Sequence, residues 1–145
     1  MKLLIQRVSS ASVEVDREIV SSIKQGILAF VGFDKHDSVE NLEATAEKLL
    51  NFKTFNDEKG KISKSLFETN HQLLIVPQVT LSVGTKKGTK PSFSEAAEPQ
   101  VGLQLFQEFT QIFKEKKFKY EIGSFGSDMS IHIVNDGPVT FWFEN

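Results

Sequence analysis

The chain has no cysteine, three histidines, four prolines, one tryptophan and one tyrosine in 145 residues. Without cysteine there are no disulfides, thiol nucleophiles or thiolate-bound zinc. That composition suits a reducing compartment, and a cytoplasmic location is expected. His36, His71 and His132 fall in separate segments without metal-ligand spacing, so no metal site is expected. No apolar run approaches the roughly 20 residues of a membrane-spanning helix. The opening MKLLIQRVSS has too short an apolar run for a signal peptide and no small-residue cleavage site. A net charge of −2 gives no global positive field, so any contact with nucleic acid has to be local. Glycine-rich phosphate loops and the Gly-x-Ser-x-Gly elbow are also missing. An enzyme built this way has to work through backbone groups or its own substrate, with neither metal nor organic cofactor.

What is present reads as one domain spanning residues 1–145, with 39% hydrophobic and 25% charged residues and thirteen phenylalanines to fill a core. The pattern predicts a strand over residues 2–8, a hairpin turning near Asp16–Arg17, and a buried strand over 26–33. Asp37 and Glu40 have capping-box spacing before a helix whose buried stripe is Val39, Leu42, Ala46, Leu49 and Leu50. A strand and hairpin follow from Lys53 to Phe55 into NDEKGKI, and LLIVPQVTLSV reads as a strand over 73–83. GTKKGTKPSFSEAAEPQ is an exposed loop. Pro99 opens a second helix with the stripe Val101, Leu105, Phe106, Phe109, Ile112 and Phe113. KYEIGSF, MSIHIVN and PVTFWF are three further apolar pieces, with His132 facing solvent. About seven strands and two helices in separate runs predict an α+β domain on a mixed or antiparallel sheet.

Two stretches break these patterns. Pro77 removes an N–H from the middle of an apolar strand, where proline is normally excluded. NDGPVTFW places a Gly-Pro pair directly before a strand, which by itself is an ordinary turn signal. Together, PQVT and NDGPVT resemble the D-aminoacyl-tRNA deacylase family, which carries a Ser-Gln-x-Thr strand motif and a C-terminal Asn-x-Gly-Pro-Val-Thr motif. Gln78 and Thr80 match the first, and Asn135, Gly137, Pro138, Val139 and Thr140 match the second. IQRVSSASVEVD, TKKGTKPSFSEAA and GSFGSDM extend the likeness over nearly the whole chain.

The resemblance implies a barrel-like core with two main helices, and a homodimer with its sites at the subunit interface. The implied reaction is hydrolysis of the ester joining a D-amino acid to tRNA, or glycine mischarged on alanine tRNA. It also implies a cis Gly137–Pro138 bond whose carbonyls reach the partner's site, accept hydrogen bonds from the substrate's ammonium and exclude an L side chain. Arg7 is an exposed strand charge on one reading; on the family's pattern it holds the Gly-Pro element through its guanidinium fork. Thr80 is either a β-branched strand residue or a hydroxyl near the ester, and no neighbouring histidine activates it. Backbone N–H groups of Gln78, Val79 and Thr80 are better suited to stabilising an oxyanion, with the 2′-OH of the terminal adenosine assisting. Phe125 and Met129 either fill the core or line an adenine pocket. Lys86, Lys87 and Lys90 are either a solvated loop or contacts to tRNA phosphates.

Pro77 is the departure. Family members usually carry serine there, whereas Pro-Gln marks a branch described from animals that tolerates L-amino acids and differs in its C-terminal motif. This chain combines that proline with NDGPVT. The alternatives to a D-selective deacylase are a chirality-relaxed deacylase and a non-catalytic protein that binds the tRNA 3′ end.

Overall fold

The computed structural model describes residues 1–86 and 88–144; Lys87, one of the three loop lysines, lies outside the described residues. The elements run β1 (Lys2–Val15), β2 (Glu18–Ile23), β3 (Gly26–Gly32), α1 (Val39–Asn51), β4 (Phe55–Asn56) and β5 (Ile62–Lys64). After them come β6 (Gln72–Pro77), α2 (Pro99–Glu115), β7 (Glu121–Ile122) and β8 (Ser130–Glu144), with 3-10 turns at Leu66–Glu68 and Val79–Ser82. The main sheet has the order β2-β1-β3-β6-β7, with β8 along the other side of β1. β1 is antiparallel to β2, β3 and β8, whereas β3–β6 and β6–β7 are parallel. β2 curls back to touch β6 and β7, so the sheet is nearly closed into a barrel beside the two helices. The fold is the α+β class expected.

The sheet buries both faces. Leu3, Ile5, Ile27, Ala29, Val31, Leu73 and Ile75 meet the phenylalanine-rich faces of the helices. On the other face Val8, Ala11, Val13, Leu28, Leu74 and Val76 form a second cluster. Strands covered on both sides need apolar side chains at every position, which is why β3 and β6 read as unbroken runs. β1 changes which residues face which cluster near Ser9–Ser10, where its pairing with β8 shifts register. That irregularity lets one strand serve both clusters, and it carries β1 well past the predicted 2–8. The Asp16–Arg17 turn is confirmed, with φ of 50° and 69° at its two central residues.

Several local expectations are corrected. α1 is capped by Ser38, whose N–H donates to Asn41 Oδ1 at 3.2 Å. Asp37 instead accepts from the Asp34 N–H at 2.7 Å and pairs with the Met1 ammonium. Val39 and Val101, at the first turns of their helices, project to solvent rather than into the core. MSIHIVN and PVTFWF belong to one strand, β8, held together by the length of β1.

The strand expected over 73–83 ends at Pro77, and the chain turns into the 3-10 segment Val79–Ser82. Gln78 donates its N–H to Val31 O at 2.7 Å, so in β6 alternate N–H groups, including the one Pro77 lacks, face β7. The last bond on that side runs from the Gly123 N–H to Ile75 O at 2.8 Å. β7 has ended at Ile122, so proline stands where no ladder bond is forfeited.

The 3-10 turn lies so close to β3 that only glycine fits beneath it. A Cβ on Gly32 would come within 2.8 Å of Leu81 Cβ, 2.9 Å of Ser82 Oγ and 3.0 Å of Gln78 O. Gly32→Ala is expected to destabilise the fold by about 1–3 kcal/mol, as overpacking does. Urea denaturation checks this; an unchanged midpoint would show that the turn is free to move away.

Candidate active site

Where β6 gives way to the 3-10 turn, a cleft of about 480 Å³ opens between the turn, the start of α2 and the loop before β8. Pro77, Gln78 and Val79 form one wall, and Ala97, Pro99 and Gly102 another. Phe125, Met129 and Ile131 close the third, with Ser127 and Asp128 as its polar rim. Gly102 admits the Phe125 ring, whose Cζ lies 3.3 Å from where a Cβ would stand. Phe125 rests against Phe106 at 5.8 Å between centroids. Met129 and the Pro77 ring flank Gly123, at 3.1 and 3.2 Å from its hypothetical Cβ. An apolar slot with few polar groups suits a flat, partly apolar ligand.

The polar groups at its mouth are mainly backbone. The Gln78 N–H is committed to Val31 O, and Gln78 Nε2 donates to Thr80 Oγ1 at 2.7 Å. The Val79 and Thr80 N–H groups open the 3-10 turn, where helical bonding supplies no acceptor. Among the described residues neither has a backbone acceptor, and two adjacent N–H groups can hold a developing oxyanion. This narrows the three expected donors to two. Thr80 is tethered to Gln78, and no histidine lines the cleft.

A second assembly lies on β8. β1 pairs Gln6 with Thr140 and Val8 with Asn135, so residues 136–139 loop out opposite Arg7 alone. Gly137–Pro138 sits in this excursion, is exposed, and has a cis peptide bond. Arg7 is buried rather than an exposed strand charge. Its Nε donates to Asp136 O at 3.1 Å and pairs with Asp136 Oδ2 at 3.0 Å. Its Nη1 donates to Thr54 O at 2.9 Å and Asn56 Oδ1 at 3.2 Å. Asn135 Nδ2 donates to Arg7 O at 3.0 Å, while Asn135 Oδ1 lies 2.5 Å from where a Cβ on Gly137 would be. A side chain at 137 would push the Asn135 carboxamide, which also holds the Arg7 carbonyl, out of place.

Of the sequence-derived residues, the fold brings Pro77, Gln78, Val79, Phe125 and Met129 together in the cleft. Arg7, Gly137 and Pro138 stand apart on β1 and β8, outside the cleft lining. Lys86 and Lys90 are exposed in the loop after the 3-10 turn. Sequence reasoning passed over Thr54 and Asn56, because a carbonyl acceptor has no side-chain signature. It also passed over Gly102, whose place in the α2 stripe was the available signal.

Fold and cleft define a small mixed-sheet domain with an apolar-walled cleft whose polar rim holds Ser127 and Asp128. The chain belongs to the D-Tyr-tRNA(Tyr) deacylase family, whose model matches residues 4–144. It is 47% identical over 144 residues to a D-aminoacyl-tRNA deacylase of Ectopseudomonas mendocina, covering 99% of both chains. It is 46% identical over 145 residues to a protein of the same name from Teredinibacter turnerae, covering 100% of both. Among solved structures it superposes on a c-Myc DNA unwinding element binding protein with a TM-score of 0.94 at 37% identity, covering 100% of this chain and 99% of that one. A probable eukaryotic D-amino acid tRNA deacylase, at 20% identity and a TM-score of 0.84, shares the fold.

His71 lies beneath the Arg7 assembly, tilted against Phe55 at 4.2 Å between centroids. Partial burial, and then the Arg7 charge, hold its pKa below the usual imidazole value of 6.5. The unfolded chain therefore binds this proton more readily than the folded one. The neutral ring contributes fully above pH 6.5, and its contribution is lost as pH falls through the lower folded value. Stability measured by urea denaturation should decline below that pH, and His71→Phe should flatten the decline. An identical pH profile in the variant would assign the decline to other groups.

Proposed function

We propose that this protein is a cytoplasmic homodimeric hydrolase that removes D-amino acids, and glycine, from the 3′ end of tRNA. The observation that carries the reading is the separation of two complementary parts. One is a cleft with unclaimed N–H donors; the other is a braced Gly137–Pro138 excursion, exposed and outside that cleft. A two-fold dimer brings such parts together, since each subunit's excursion enters its partner's cleft. β8 favours that assembly, because it is a long edge strand that exposes Ile133, Val134 and Trp142. The names of the relatives support the same activity.

In this reading the terminal adenine lies between Phe125 and Met129, and the ester carbonyl faces the Val79 and Thr80 N–H groups. Water attacks the carbonyl carbon, forming a C–O bond, and the two donors stabilise the resulting oxyanion. Collapse breaks the bond to the 3′ oxygen, which takes the proton released by water through the adjacent 2′-OH. Free D-amino acid and tRNA leave. The partner's Gly137 and Pro138 carbonyls accept hydrogen bonds from the ammonium and turn an L side chain into backbone. Lys86 and Lys90, exposed in the loop after the 3-10 turn, contact the tRNA phosphates in this reading.

Pro77 supports a second reading. Its ring lies in the cleft wall beside Met129 and Gly123, so no hydroxyl stands there. A chirality-relaxed deacylase or a tRNA-end binder would carry the same wall. Incubation with D- and L-tyrosyl-tRNA separates the three: hydrolysis of the D-ester alone is expected. Comparable turnover of both indicates relaxed selection, and tRNA binding without turnover indicates a binder.

The cross-subunit site has its own test. Val79→Pro removes one N–H at the first position of the turn, where proline is tolerated, and should lower kcat by about 100-fold without a drop in Tm. Gly137→Ala should abolish activity by adding a methyl to the excursion that enters the partner's cleft. Mixed and reassociated, the two inactive variants should recover about a quarter of wild-type activity, because half the dimers then hold one intact site. No recovery from subunits shown to exchange would place both elements in one chain's site.

A further inference from the structure

The end of β6 remote from the cleft borders a second hollow of about 520 Å³, lined by His71, Gln72, Lys117, Lys119 and Tyr120 among others. Its chemistry is cationic, with Glu121 as the one carboxylate in the lining. Some lysines elsewhere have a carboxylate partner: Lys116 pairs with Glu47 at 2.9 Å, Lys64 with Glu58 at 2.7 Å and Lys35 with Glu95 at 3.2 Å. Among the described residues Lys117 and Lys119 have no carboxylate within ion-pair distance.

Lys117 also occupies a backbone position that disfavours it. α2 ends in a paired motif in which the Phe118 N–H donates to Phe113 O at 2.9 Å and the Lys117 N–H to Lys114 O at 3.0 Å. The residue between these bonds is left-handed, with φ 55° at Lys117. Glycine is the usual occupant there, and a residue with a Cβ is strained. A cation near a helix C-terminus complements the dipole, but Lys114 already supplies that. The strained lysine points to a use outside the helix.

We propose that this hollow binds the phosphate backbone of the tRNA beyond its single-stranded 3′ end, with Lys117 and Lys119 each contacting phosphate. The proposal rests on the deacylase reading above. β6 connects the two sites: Gln72 borders the hollow and Pro77 the cleft, about 17 Å apart at the rise of a parallel strand. That distance equals about five stacked nucleotides, which reaches past the unpaired end and onto the acceptor stem. A local cationic surface is also what a chain of net charge −2 needs to hold an RNA.

Replacing the lysine with the residue its backbone favours separates structure from function. Lys117→Gly should leave Tm unchanged or raise it, while weakening binding of uncharged tRNA about 3–10-fold. The slope of log affinity against log salt should become shallower by about one, and Lys119→Gln should add a similar change. For both variants kcat/KM on the minimal substrate D-tyrosyl-adenosine should match wild type. Unchanged tRNA affinity and salt slope in both variants would overturn the proposal. Equal losses on tRNA and on the minimal substrate would also overturn it, by assigning these lysines to the cleft. A wild-type protein that neither binds tRNA nor hydrolyses its D-ester fails the deacylase reading instead, and the two failures are distinguishable.

Discussion

Burying the Arg7 guanidinium organises one side of this molecule. A charge taken out of water has to be met by acceptors or it is prohibitively costly. Arg7 finds four: the Asp136 carboxylate, Asp136 O, Thr54 O and Asn56 Oδ1. These come from segments distant in sequence, so the charge ties the start of β1 to the β4 region and to β8. The geometry runs the other way as well. Because β8 has to reach Arg7 with its own backbone, it leaves the ladder between Thr140 and Asn135, and Asn135 takes up the Arg7 carbonyl that the excursion strands. The Gly137–Pro138 element is therefore an extension of a buried charge network, held more firmly than an ordinary exposed turn.

The cleft follows a different logic. Its walls are apolar, and its donors come from a chain that stops being a strand at a chosen point. Pro77 ends β6 where β7 no longer offers a partner, and the 3-10 turn that follows leaves two N–H groups without acceptors. Gly32 lets that turn lie directly on β3, so the donors rest on the centre of the sheet. The proline that looked like a defect in an apolar strand is the punctuation that creates the donors.

How far this was legible in the chain depends on what each residue reports. β3 and β6 were readable because a strand buried on both faces must be apolar throughout, and the second helix because Pro99 opens a clear stripe. The reading ran through Pro77 to Val83 because Val79, Thr80 and Val83 are β-branched and favour strands. Local preference lost there to packing against Gly32, which no side chain announces. MSIHIVN and PVTFWF looked separate because their register is set by β1 at the far end of the chain. In the site, the motifs around Gln78 and Gly137 were found by resemblance, whereas the close approach of the Asn135 carboxamide oxygen to Gly137 emerged only from the fold.

A common thread explains why the chain is odd where it is. A site that relies on side-chain acids, bases or metals displays them in sequence; one that relies on backbone displays only the residues that shape backbone. Here those are Pro77, Gly32 and Gly137, each marked by what it lacks: an N–H in one case, a Cβ in the others. Stereochemical selection by backbone has a further consequence. A side chain can rotate to admit a misfit, but the Asp136 carbonyl, held by Arg7, can move only if the buried charge network moves with it. In the reading proposed above, accepting the wrong hand would displace an excursion that Arg7 braces through Asp136, which would tie selectivity to the stability of the fold itself.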